Sequence, residues 1–229
     1  AYAVEQSGEV QSYPSLQATD YQPRNEKAKI DFAFSESSVE LLSEESQNKL
    51  GLKPFEASFE NGNATLFKIT KPFQVVVLGF PKICIFDKDQ EKYLPQQNLQ
   101  PGQVTVTRLL MAIAVDGELM QSDDGSIQFV TLKLKSNKTA IVRGKNPDLL
   151  TLSKINAQLL KDCKIRKGCL LHLVGLTPYI EAQKFTGKNG QSSWGIMFKF
   201  KDPAPLSADN QAIMYHVAQS DDVTEYLAD

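Results

Sequence analysis

Several side chains in the second half of the chain have the chemistry to hold phosphates and stack bases. On the predicted strand from Ser126 to Lys135, Phe129, Lys133 and Lys135 share one parity, and Lys138 and Arg143 follow on the next predicted strand. A loop between two later strands supplies Lys184, Phe185 and Lys188, with Tyr179 and Trp194 at its mouths. Lysine and arginine neutralise phosphates and release counterions, while an exposed ring stacks a base for about 1–3 kcal/mol. Trp194 shares its parity with Ile196, Phe198 and Phe200, which favours a core position for it. Phe185, in a polar loop, is the better stacking platform.

The charge pattern points the same way. The 229 residues carry 25 Lys and Arg against 27 Asp and Glu, a formal net charge of −2. That near-neutrality hides three blocks. Residues 1–130 hold 11 basic and 18 acidic groups, residues 131–201 hold 14 and 3, and residues 202–229 hold none and 6. A basic block followed by an acidic tail suggests a polyanionic partner, with a tail that screens the basic face or docks a partner protein. The competing reading treats the basic groups as solvated faces; Lys154, Lys161, Lys164, Arg166 and Lys167 fit an ordinary helix face and C-terminal dipole complement.

Other chemistries find little support. Only His172 and His216 are present, and His172 lies among leucines, where a satisfied core histidine is expected. Cys163, Cys169 and His172 could offer three zinc ligands, but on a strand 169 and 172 face opposite ways and no fourth ligand is near. Asp87-Lys-Asp89 reads as a turn better than as half a carboxylate site. Gly187-Lys-Asn-Gly190 lacks the spacing and the Ser or Thr of a triphosphate loop. No catalytic set, metal or cofactor is expected, and the chain reads as non-enzymatic. Three cysteines form a sparse, odd set, which suits a reducing cytoplasm. The longest uncharged apolar stretch, Leu109 to Val115, falls far short of the roughly 20 residues that span a bilayer, and no secretory signal opens the chain. With 41% apolar and 23% charged residues, collagen-like and wholly disordered classes are excluded.

The elements that must position these groups are mostly strands. Residues 1–29 form a polar arm, disordered or laid extended across a domain. A short helix is expected from Ser38 to Leu50, stopped by Gly51. Asn61-Gly62 between two β-prone runs marks a hairpin, and strands follow on both sides of Pro81. Residues 30–99 thus make a β-rich region with one short helix. Residues 100–202 follow an order of three strands (104–115, 126–135, 138–143), a helix (149–163) and two strands (169–179, 193–201), with Gly175 at a bulge or bend. That is the element order of the oligonucleotide-binding (OB) fold, a five-stranded barrel. Residues 203–229 form an acidic tail in which Leu206 to Gln219 is compatible with a helix. The fold class expected is mainly β, with few helices.

A basic segment and Gly (Lys164 to Gly168), an apolar strand ending in Val174-Gly175, a Lys/Gly loop and the final strand Trp-Gly-Ile-Met-Phe-Lys-Phe at 194–200 together resemble bacterial-type single-stranded DNA-binding proteins. The resemblance covers about 40 residues and an acidic tail that lacks the Pro-Phe tip of that class. It implies an OB barrel and sequence-tolerant binding of single-stranded nucleic acid, DNA or RNA, by a protein that is a possible homo-oligomer. The whole chain also resembles an uncharacterised family of cyanobacterial proteins, which carries no mechanism. The competing expectation is a β-rich interaction module whose basic strip docks an acidic partner or its own tail.

Overall fold

The apolar run Leu109–Val115 shows no alternation because the strand that carries it is covered on both faces. In the computed structural model, which describes residues 13–59, 62–78, 82–87, 89–90, 92–94, 100, 103–135, 171–187 and 189–228, this strand is β8 (Gln103–Val115). Leu109, Met111, Ile113 and Val115 enter one apolar cluster, while Leu110, Ala112 and Ala114 enter another on the opposite face. A strand buried on both sides must be continuously apolar, and this one is.

The fold is mainly β. Preceding β8 are β1 (Ser15–Ala18), β2 (Phe32–Ser35), β3 (Lys53–Phe59), β4 (Gly62–Lys68), β5 (Gln74–Val77), β6 (Lys82–Asp87) and β7 (Lys92–Leu94). After it come β9 (Glu118–Leu119), β10 (Phe129–Lys135), β11 (Val174–Thr186) and β12 (Ser192–Pro205). They join in one curled, mixed sheet whose main path runs β12-β11-β5-β8-β10-β1-β2-β4-β3. β8 pairs antiparallel with β5, β6, β9 and β10 and so stands at its centre.

Several sequence expectations meet this sheet directly. The hairpin around Asn61-Gly62 is present, with Phe59 opposite Gly62. The polar arm takes the extended form over β1, which lies parallel to β10 and antiparallel to β2. The single helix expected from Ser38 to Leu50 is instead two, α1 (Glu36–Val39) and α2 (Glu44–Leu50). Ser43 breaks the run: its hydroxyl accepts from the Ser46 N–H as an N-cap and donates to the Gln121 carbonyl at 2.8 Å. Gly51 closes α2 at φ +60. A Cβ there would sit 2.6 Å from Thr70 Oγ1.

Of the barrel expected over residues 100–202, the strand at 138–143 and the helix at 149–163 lie outside the described residues. The β8/β10 and β11/β12 pairs are antiparallel. Between them, however, runs β5 from the first half, which pairs with β8 over four residues and with β11 through Val75 and Leu176. The sheet therefore draws strands from both sides of residue 100.

The acidic C-terminal segment is part of the body. It forms α3 (Ala208–Val217) and α4 (Asp221–Ala228), and Leu206, Met214 and Val223 are buried against Val76, Leu78, Leu110 and Ala112. At about 1.5–3 kcal/mol for each large apolar side chain removed from water, this contact is structural. Among the described residues no helix is long and apolar enough to cross a membrane.

Candidate nucleic-acid interface

β11 and β12 form a long two-stranded ribbon, and its register decides which of the candidate side chains can act together. Directly opposed residues of an antiparallel pair project to the same side, and successive residues alternate. Thr177 faces Lys201, Tyr179 faces Lys199, Glu181 faces Met197, Gln183 faces Gly195 and Phe185 faces Ser193. These five rows make one face. The other face carries Pro178/Phe200, Ile180/Phe198, Ala182/Ile196 and Lys184/Trp194.

The second face is the core face at its base, where Phe198 and Phe200 are buried in the apolar cluster and Ile180 and Ile196 pack against it. Trp194 continues that row towards the tip, half-buried beside an exposed Lys184. The first face carries Lys201, Lys199 and Glu181. Lys201 holds its ammonium 5.2 Å from the centroid of the Tyr179 ring. One row on, Lys199 donates to Glu181 at 2.7 Å. At the tip Phe185 is 40% exposed, and its ring lies over Gly195, where a Cβ would meet Phe185 Cε2 at 2.9 Å. A glycine diagonal to an aromatic lets the ring lie down on the ribbon. The two rings are six positions apart along β11, or about 20 Å at the rise of a strand.

The sequence candidates thus divide. Tyr179 and Phe185 share one face, and Lys184 and Trp194 share the other. Phe129 is not with them: it sits half-buried, edge-on to Tyr13 at 5.7 Å and 79°, packed against the cluster that α3 and α4 cover. Lys133 and Lys135 lie on β10 opposite Arg108 and Val106, and their side chains lie outside the described set. Lys138, Arg143 and Lys188 fall outside the described residues. Lys199 and Lys201 were not among the candidates. Their signal was available, because pairing the last two strands antiparallel around the Gly187–Gly190 turn brings both onto the face of Tyr179.

His172 departs from its expected surroundings. It lies in a 3₁₀ turn (Leu171–Leu173) ahead of β11, not in a strand, and its buried Nε2 has no hydrogen-bond partner among the described residues. Its ring is 6.4 Å from that of Tyr215 on α3, and partial burial lowers its pKa below the ordinary 6.5. Asp87 forms a turn, accepting through Oδ1 from the Asp89 and Gln90 N–H groups. Among the described residues no three His, Cys, Asp or Glu side chains are grouped to hold a metal ion.

Comparison with known proteins adds nothing to this geometry. No family model, curated protein or solved structure matches the chain. The functional reading rests on the side chains alone.

Proposed function

We propose that the chain is a non-enzymatic, sequence-tolerant binder of single-stranded nucleic acid, DNA in the first instance, and that the strand runs along the Tyr179–Phe185 face of the β11/β12 ribbon. The observation that carries this reading is the sharing of one ribbon face by two rings and two lysines: Tyr179 and Phe185 on β11, Lys199 and Lys201 on β12. The rings stack bases and the ammonium groups meet phosphates, without reading base identity at each step. The OB-type barrel belongs to the same proposal. It is supported by the antiparallel β8/β10 and β11/β12 pairs and by the register shift at Gly175, which fits a strand bending around a barrel.

The competing module, a basic strip docked by its own acidic tail, is less well served. α3 and α4 spend their apolar side chains on the sheet face formed by β5 and β8. The test is a titration of the full chain with oligo-dT: strand binding predicts saturable quenching of tyrosine emission that weakens steeply with salt. Absence of binding at low salt would instead favour a protein partner.

A further inference from the structure

A cavity of about 530 Å³ opens beside the base of the ribbon, between the start of β2, the segment joining β4 to β5, the turn after β8, and β11. Its lining combines rings and charges: Phe32, Phe73 and Tyr179 with Asp31, Lys71 and Asp116. Phe32 and Phe73 meet edge-to-face at 5.6 Å and 84°. Openings of roughly 300–1,000 Å³, mostly apolar with a few fixed polar groups, are the usual form of a site for a small flat ligand.

The polar groups are not equivalent. Asp31 is engaged by Lys68 Nζ at 3.1 Å, and Lys71 Nζ donates to the Asn48 carbonyl at 3.0 Å. Asp116 has no such partner among the described residues. Asp116 is exposed, and its backbone is set by a two-residue turn where Asp116 and Gly117 both take positive φ, 52 and 80. The buried Asn210 of α3 clamps that turn by donating from Nδ2 to the Gly117 carbonyl at 2.8 Å. An ionised carboxylate can only accept, and it accepts best from two parallel N–H groups. Among the nucleobases, guanine alone offers such a pair on one edge, N1–H and N2–H. Tyr179 belongs both to the ribbon face and to the cavity wall, so a strand on the ribbon passes the opening.

We infer that this cavity receives one guanine base of the bound strand, with Asp116 accepting from its Watson–Crick edge and the rings enclosing its faces. The inference rests on the strand-binding reading and adds to it one position of base preference. The experiment compares three labelled oligonucleotides on the full chain by fluorescence anisotropy: all-dT, and the same strand with one central dG or one central deoxyinosine. The expected result is about tenfold tighter binding of the dG strand, lost with inosine, which lacks the N2 amine. Asp116→Asn should abolish the preference for dG over dT, and because Asn-Gly is itself favoured at this turn the fold is kept. Guanosine monophosphate alone should bind far more weakly than the dG strand; a tight mononucleotide complex without a dG gain in the strand would overturn the assignment to a strand. Equal affinity for dG and dT, with Phe185→Ala still weakening both, would overturn the cavity assignment and leave the ribbon reading standing. Binding of no strand at any salt would overturn both.

Discussion

Lys201 reaches across the ribbon to place its ammonium 5.2 Å from the centre of the Tyr179 ring, while its neighbour on the same face, Lys199, is tied to Glu181 at 2.7 Å. The two lysines are therefore unequal. Lys201 lies against the Tyr179 ring, whereas Lys199 is neutralised by a carboxylate that, on the proposed strand path, a phosphate would have to displace. Glu181→Gln should accordingly strengthen oligo-dT binding, by about two- to fivefold at low salt, since exposed ion pairs of this kind are worth about 0.2–1 kcal/mol. Parallel titrations of the variant and the parent check this. A loss of affinity in the variant would mean that Glu181 faces the strand in some other role.

The ribbon's two faces give a second contrast. Phe185→Ala removes an exposed ring and should weaken strand binding by about 1–3 kcal/mol without lowering Tm appreciably. Lys184→Ala, one residue earlier on the opposite face, should cost much less. Gly195→Ala should resemble Phe185→Ala, because its methyl group displaces the ring that lies over it. Equal effects of Phe185→Ala and Lys184→Ala would place the strand around the ribbon tip and not along one face.

The C-terminal segment should behave as part of the core. Met214, fully buried between α3 and the sheet, should cost about 2–4 kcal/mol on replacement by alanine. Removing residues 203–229 uncovers Leu110, Ala112 and Val76 and should unfold or aggregate the protein. Chemical denaturation of Met214→Ala, followed by circular dichroism, measures the first. A truncated chain that stays folded and binds strands more tightly would return the tail to a screening role.

His172 sets a shallow pH dependence. Partial burial favours its neutral form, so its folded-state pKa lies below the ordinary 6.5. The unfolded chain then binds the additional proton first as pH falls. This contribution is absent well above pH 6.5, destabilises progressively as pH falls through that value, and levels off below the folded-state pKa. Tm measured at pH 8 and pH 5.5 should fall less in His172→Gln than in the parent. An identical fall in the two proteins would show that other groups carry the acid sensitivity.

What the sequence made legible follows from how local each signal is. The Asn61-Gly62 hairpin and the Gly51 stop depend on neighbouring residues and on positive φ, so they could be read directly. The register shift at Gly175 was visible too, because a glycine inside a strand marks a bulge. β5 between β8 and β11 was not, because a run such as Gln-Val-Val-Val carries no address for its partner. The placement of Phe129 failed on a related point. Its alternation with Val130 was read correctly, but the opposite face of β10 is closed by Tyr13 and the cluster beneath α3 and α4 instead of facing water. Periodicity tells which side chains share a face; only the tertiary arrangement tells whether that face is wet. The composition of residues 202–229 drew attention to their charge, while three apolar residues, Leu206, Met214 and Val223, decided their position.

The most direct test is the salt dependence of oligo-dT binding to the full chain, followed by intrinsic fluorescence from low to moderate salt. Binding along the ribbon predicts a saturable complex whose log affinity falls linearly with log salt, with a slope of about −1.4 or steeper, as expected when two or more phosphates of a single strand are neutralised. A flat dependence, or no complex at the lowest salt, would contradict it.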